Sequence, residues 1–340
     1  MKVFVCGCLH SEWDKLIDTV NALIEEGNKI DLILVTGDCE TFRDEEDMKS
    51  FTAPPKYHIL GSFYKIYNGE RTLPCLTIII GGNHEASDLF HQLPFGGWIA
   101  PNCFYMGRAA QVLVGDILIS GISGIYKQSN YYDPVNEEYP LRKIGDMHSA
   151  YALRAFSDFQ LFGLKTTQIM LSHDWPSKVP SKFGGKYLQN RKPHLIDSDK
   201  KNLFGLPMGL KLIDHIKPST WFSSHHHILF RTQINQNTNF IALPKPTVRE
   251  WFIVADVDGK PGPLKYSGRW IEILKCTGKF MENPSLLKED WTKLWEEIGE
   301  LPQLDPVDPE PYNANPVQIT INFCKKYGIY CPNPEIRPLI

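Results

Sequence analysis

The sequence predicts an α/β protein: two packed β-sheets flanked by helices, with a smaller C-terminal extension. Three observations predict it. Short apolar runs of strand length recur through the first 245 residues, several too continuous to be half-exposed. Helical periodicity alternates with these runs early in the chain, whereas paired runs around tight polar turns follow later, which suggests a mixed sheet. The early runs also end in polar clusters, where α/β sheets bind ligands.

The first run is residues 2–6. Ser11 is placed to cap a helix in which Trp13, Leu16, Ile17, Val20, Leu23 and Ile24 recur at helical spacing until Gly27. Residues 31–36 and 76–80 are further buried strands, with a mixed stretch broken by Pro54-Pro55 between them. Residues 111–121 read as a hairpin turning at Gly115-Asp116. Residues 168–172 and 219–223 are strands, 228–232 and 239–243 a hairpin around an Asn-rich turn, and 251–257 and 269–275 late strands. Residues 126–165 interrupt the pattern with eight Tyr and Phe; they read as a long ordered loop plus a helix near 147–162. An acidic helix (285–298), a Pro-rich linker (301–311) and a last helix from Asn315-Pro316 to near Gly328 close the chain.

The 340 residues suit one large domain with an appendage or two domains. Apolar residues at 42% and charged residues at 22% exclude wholesale disorder, collagen and coiled coil. The apolar runs are too short to span a bilayer, and the opening residues lack the length of a secretory signal. Eight Cys without framework spacing read as reduced thiols. Net charge is −3, but residues 177–217 carry nine Lys and Arg against three Asp, and residues 282–310 carry nine acids against two Lys. The basic segment is either a solvated surface or a guide for a polyanion.

The polar clusters after the strands are Cys8-Leu9-His10, Gly37-Asp38, Gly81-Gly82-Asn83-His84-Glu85, Ser172-His173-Asp174 and His225-His226-His227. Together they offer a thiolate, a carboxylate, an amide oxygen and imidazoles, which is a transition-metal ligand set. Each alone is weak, since a lone His after a strand is usually an ordinary hydrogen-bonding residue. Five in succession are not a coincidence of turns. In an extended segment His225 and His227 would project to one side and His226 to the other.

Quoted in order, Cys8-Leu9-His10, Gly37-Asp38-Cys39-Glu40, Gly82-Asn83-His84-Glu85, His173 and Ser224-His225-His226-His227 resemble the blocks of the calcineurin-like metallophosphoesterases. Two positions depart from the pattern: Cys8 stands where most members have Asp, and Ser224 replaces a Gly. The Cys is usual in one subfamily, the RNA lariat debranching enzymes. Residues 54–57 (PPKY), 80–87 (IGGNHEAS), 93–101 (LPFGGWIAP), 171–176 (LSHDWP) and 218–227 (PSTWFSSHHH) are also similar to that subfamily. The likeness is strong over about residues 1–245 and thinner beyond.

The resemblance implies a metallophosphoesterase-type two-sheet β-sandwich. It implies a catalytic domain over residues 1–245, with a branched-RNA recognition loop and helix at 126–165. Residues 246–340 would form a C-terminal debranching-enzyme extension packing on it. It implies one metal pocket from Cys8, His10, Asp38 and His227, and a second, the essential one, from Asp38, Asn83, His173 and His225. His84 would be the catalytic group near the leaving oxygen and would also touch substrate. Tyr126, Tyr151 and Arg154 would bind RNA, against the plainer reading that the aromatics are core. Asp174 would orient an imidazole or cap a turn. The cofactor would be one or two divalent transition ions (Fe2+, Zn2+ or Mn2+), a thiolate favouring these over Mg2+.

The reaction implied is hydrolysis of the 2′,5′-phosphodiester of excised intron lariats by a metal-held hydroxide, leaving a 2′-hydroxyl and a 5′-phosphate. Branched RNA, splicing-associated proteins and a nuclear location follow, and no membrane. Two other readings stay open: a phosphoesterase of another substrate class, and a non-catalytic RNA-binding scaffold. Against a protein phosphatase, Gly37-Asp38-Cys39-Glu40 lacks the Arg and second Asp of those enzymes. Against a scaffold, all seven ligand positions and His84 are filled.

Overall fold

The computed structural model describes residues 1–331; residues 332–340, the tail of the expected C-terminal extension, lie outside the described residues. The strands in chain order are β1 (Lys2–Cys6), β2 (Leu32–Val35), β3 (Leu76–Ile79), β4 (Gly97–Ala100), β5 (Cys103–Tyr105), β6 (Ala109–Val114) and β7 (Ile117–Ile122). They continue with β8 (Ile169–Ser172), β9 (Thr220–Ser223), β10 (Phe230–Gln233), β11 (Asn239–Ala242), β12 (Phe252–Asp256) and β13 (Leu264–Tyr266). They form two sheets, ordered β12-β1-β2-β3-β5-β4 and β10-β11-β9-β8-β7-β6-β13. Strands β1, β2, β3 and β5 run parallel, as do β7, β8, β9 and β11, and the antiparallel strands sit at the sheet margins.

Strand alternation explains the two cores. Val3, Val5, Leu32 and Leu34 face the second sheet and pack with Val112, Ile117 and Ile119. Phe4, Cys6, Ile33 and Val35 face outward, onto Trp13, Leu16, Ile17 and Val20 of the helix Trp13–Glu25. Both faces of the first sheet are thus buried, so its strands read as continuous apolar runs. The second sheet is covered by the helices Ala155–Phe162, Gly209–Ile216 and Gly268–Glu282.

The structure departs from the sequence reading in several places. Residues 269–275 are not a strand; they lie in the helix Gly268–Glu282, capped by the Ser267 hydroxyl, which accepts from the Trp270 amide. Its buried Trp270, Ile271, Ile273, Leu274, Thr277, Phe280 and Met281 follow the helical period. Ser11 does not cap the first helix; its hydroxyl donates to Glu40 instead (2.9 Å). The acidic segment is a 3-10 turn, Pro284–Lys288, then a helix, Trp291–Ile298, capped by Asp290. The basic segment folds as four helices, Val179–Phe183, Gly185–Arg191, Pro193–Lys200 and Gly209–Ile216. Residues 126–165 hold two helices, Ile144–Ala150 and Ala155–Phe162.

The region beyond residue 246 is built into the sheets as well as onto them. Strand β12 pairs with β1, and the N-terminal ammonium donates to the Val257 carbonyl (2.9 Å). Strand β13 pairs with β6. The helix Pro316–Tyr327 rests on β4, with the Thr320 hydroxyl donating to the Gln92 carbonyl (2.7 Å). Among the described residues no helix is long and apolar enough to cross a membrane.

Candidate active site and metal centre

The parallel strands deliver their C-terminal ends to one edge of both sheets. Cys8 and His10 follow β1, Asp38 follows β2, Asn83 and His84 follow β3, His173 follows β8, and His225 and His227 follow β9. The ligand atoms of Cys8, His10, Asp38 and His227 lie within 4.8 Å of one another, and so do those of Asp38, His173 and His225. Asp38 belongs to both groups. A third group, Asp174, His225 and His226, adjoins them.

The backbone is bent hard to achieve this. His10, Asp38, Glu40, His225 and His227 all hold positive φ, between 47° and 61°. Such conformations cost about 1–3 kcal/mol each and persist only where their surroundings fix them. The alternation argument for the triple-His segment therefore fails, because these residues are left-handed rather than extended. His225 and His227 nonetheless both reach Asp38's neighbourhood, while His226 turns to Asp174 (3.5 Å) and stacks on Phe204. Glycines permit the close approach. A Cβ on Gly37 (φ +96°) would stand 2.4 Å from His173 Nδ1, and one on Gly82 2.2 Å from Asp38 Oδ1.

Asp38 Oδ1 accepts from the amides of Asn83 (2.9 Å) and His84 (2.8 Å). Burial alone would raise this carboxyl, but facing His173, with His84 and His10 nearby, holds it well below the usual carboxylate range. His173 is fully buried; its Nδ1 bonds the Thr36 carbonyl (2.8 Å), which leaves Nε2 as the lone-pair atom. That Nε2 faces Asp38 Oδ1 at 3.2 Å with no hydrogen-bond partner. Burial would lower His173, but Asp38 reverses this and raises it, so the pair calls for a positive charge between its members. Asn83 Oδ1 is likewise buried and unpartnered.

An amide oxygen, a carboxylate and an imidazole nitrogen, oriented and left without protein partners, fit a divalent transition ion. On the other side, His10 Nδ1 bonds Glu40 Oε1 (2.8 Å), and its Nε2 meets His227 Nε2 at 3.1 Å. The Cys8 sulfur accepts from the His225 amide (3.2 Å); burial, then Asp38, pushes its thiol well above the ordinary value. Burial lowers His225 to about 3 and His227 to about 4, which keeps both imidazoles neutral and able to ligate.

Residues 1–229 match the calcineurin-like phosphoesterase family. Lariat debranching enzyme A of Xenopus laevis is 39% identical, over 99% of this chain and 72% of that protein. The chain belongs to the lariat debranching enzymes. That of Gallus gallus is 33% identical over the same shares of both chains, and that of Homo sapiens 36% identical over 82% of this chain and 54% of the human one. As a calcineurin-like debranching enzyme the chain is a phosphodiesterase hydrolase that depends on divalent metal.

Several further groups brace the ligands of this debranching enzyme. Glu40 orients His10, and the Ser224 hydroxyl donates to the Thr36 carbonyl (2.7 Å), so the replaced glycine position braces His173's support. Glu85 accepts from the amides of Gly82 (2.7 Å), Cys39 (3.0 Å) and Glu40 (3.0 Å), tying two ligand loops together. Burial, with Asp38 adding to it, pushes this carboxyl up to about 8 against those donors. Asp174 Oδ2 accepts from the Tyr126 amide (3.1 Å), and Oδ1 from Trp175 (3.0 Å). It pins the start of the 126–165 segment to the end of β8.

The expected RNA contacts divide. Tyr151 is half-buried at the rim; Lys127 Nζ donates to its hydroxyl (3.2 Å) and lies 4.2 Å from its ring centre. Tyr126 is half-buried with its ring edge on Tyr131. Arg154 does not present a free guanidinium. It is 1% exposed and committed to Glu137, the Asn130 carbonyl (2.6 Å) and Ser149 Oγ (2.8 Å). An ion pair inside the loop satisfied it, a demand that the sequence does not display.

Proposed function

We propose that this chain hydrolyses the 2′,5′-phosphodiester at the branch of excised intron lariats, leaving a 2′-hydroxyl on the branch nucleotide and a 5′-phosphate on the released end. The observation that carries this reading is the similarity to lariat debranching enzymes over 99% of the chain, joined here to the partnerless acceptors of Asn83 and His173.

Asp38, Asn83, His173 and His225 would hold one ion, and Cys8, His10, Asp38 and His227 a second. Bound there, the metal supplies a Lewis acid for the phosphoryl oxygens and hydroxide near neutral pH. The soft Cys8 sulfur argues for Fe2+, Zn2+ or Mn2+ rather than Mg2+.

The remaining work falls to the protein. Asp38 fixes the Asn83-His84 turn through two amide bonds, so the His84 ring is held against Phe51 and His10 at the open side of the site (ring centres 5.7 and 5.5 Å). From there His84 delivers a proton to the departing 2′-oxygen as its bond to phosphorus breaks. Tyr151 and Lys127 stand at the rim as a stacking face and a cation for the branched strand.

The test is a short RNA with one 2′,5′ branch, incubated with Fe2+, Mn2+ and Zn2+ in turn. Release of the branch, abolished by chelator, is expected. An intact branch under every metal overturns the reading.

A further inference from the structure

We propose that the groove formed by Tyr187, Arg191, His227, Leu229 and Arg249 receives the first nucleotide beyond the branch, with Arg191 and Arg249 on its phosphate and the Arg191 plane against its base. This rests on the debranching reading and deepens it, because none of these residues belongs to the expected recognition segment 126–165.

The groove offers about 660 Å³ to a ligand, within the about 300–1,000 Å³ typical of ligand clefts. It is continuous with the reacting centre, since His227 lines it and also belongs to the Cys8-His10-Asp38 group. The helix Gly185–Arg191 places Tyr187 and Arg191 one turn apart. The Tyr187 hydroxyl donates to the Leu229 carbonyl (2.7 Å), which pins the ring beside the triple-His loop. The Arg191 guanidinium lies 5.0 Å from that ring's centre. A guanidinium held on an aromatic is a flat cationic platform, and single-stranded RNA stacks bases on such planes.

Charge points the same way. Arg191 and Arg249 are exposed, and among the described residues neither has a carboxylate within 4.0 Å. Glu250 is the acid among the lining residues and leaves the groove net positive. Two unpaired guanidiniums beside a site for phosphodiester chemistry match a second phosphate.

The experiment compares the full chain with Arg191→Ala, Arg249→Ala and Arg191→Lys. The substrates are a branched RNA with long flanks and one trimmed to the nucleotides of the branch itself. Each alanine variant is expected to raise KM on the long RNA about 5- to 10-fold and to reduce the salt slope by about one. Arg191→Lys keeps the slope but loses the stacking part of the affinity. On the trimmed RNA the variants match the parent. Equal effects on both RNAs, no effect on either, or an acidic peptide competing as well as RNA would overturn the groove. If the parent cleaves neither RNA, the functional reading fails, and fluorescence anisotropy with the same RNAs and variants still decides the groove. Unchanged affinity in both alanine variants then rejects it.

Discussion

His173 Nε2 and Asp38 Oδ1 face each other across 3.2 Å with both side chains out of water. With Nδ1 donating to the Thr36 carbonyl, the neutral imidazole turns a bare Nε2 lone pair toward that carboxylate. Two buried acceptors opposed in this way repel unless a cation lies with them. Asn83→Ala removes a third acceptor from the same spot. It should lower bound metal and cut kcat by more than the roughly 10–100-fold typical of residues that only orient ligands. Adding metal at 100 times its Kd should stabilise the parent by about 2.7 kcal/mol and the variant by much less. Elemental analysis with thermal melts checks both, and full metal content in the variant would sink the assignment.

His84 touches Asp38 through its backbone amide, not through its ring. His84→Ala keeps that amide and so should leave metal content unchanged. The ring's work as a proton donor would be lost, at about 10²–10⁴ in kcat. Single-turnover cleavage of branched RNA alongside metal analysis separates the two roles. A variant that loses metal and activity together would make His84 a ligand-pocket residue instead.

Glu85 receives three amide hydrogens from two separate ligand loops. Glu85→Gln turns one acceptor oxygen into an NH2 facing N–H donors, without changing the volume. Loss of such buried satisfaction costs about 1–3 kcal/mol. Urea unfolding should show that loss, together with weaker metal retention as the Cys39-Glu40 and Gly82 loops drift apart. Unchanged unfolding would mean that the loops hold without it.

Much of this was legible because strand ends carry both pattern and chemistry. Residues 2–6 and the ligand blocks announce themselves together, since an apolar run followed by Cys8-Leu9-His10 is hard to mistake. What escaped detection depended on three-dimensional partners. The stretch 269–275 reads equally as strand or helix until the Ser267 cap is seen. Strand β5 is only three residues long, below what periodicity resolves, and β4 opens on a glycine, which reads as a turn. Arg154 looks like a phosphate ligand by its charge, but its burial beside Glu137 is a tertiary fact. His225 and His227 meet at the site through left-handed backbone rather than strand alternation, a conformation that a run of histidines does not display.

Asp158 offers a pH signature away from the metal centre. It is fully buried; Tyr131 donates to Oδ2 (2.6 Å), while Oδ1 has no partner. Burial raises its carboxyl to about 7, and the Tyr131 bond only partly opposes this. The unfolded chain titrates near 3.9. Between these values the folded state binds more protons than the unfolded one, so this group's contribution falls as pH rises from about 4 to 7 and is flat above. A shift of about three units sets an upper bound of roughly 4 kcal/mol. Asp158→Asn keeps an acceptor for Tyr131 and carries no charge. Its stability should not show that decline, and at pH 8 it should exceed the parent. Urea unfolding of both proteins at pH 5, 6 and 8 makes the comparison. Parallel pH dependences would show that the buried carboxyl titrates alike in both states, and that relaxation or water reaches it.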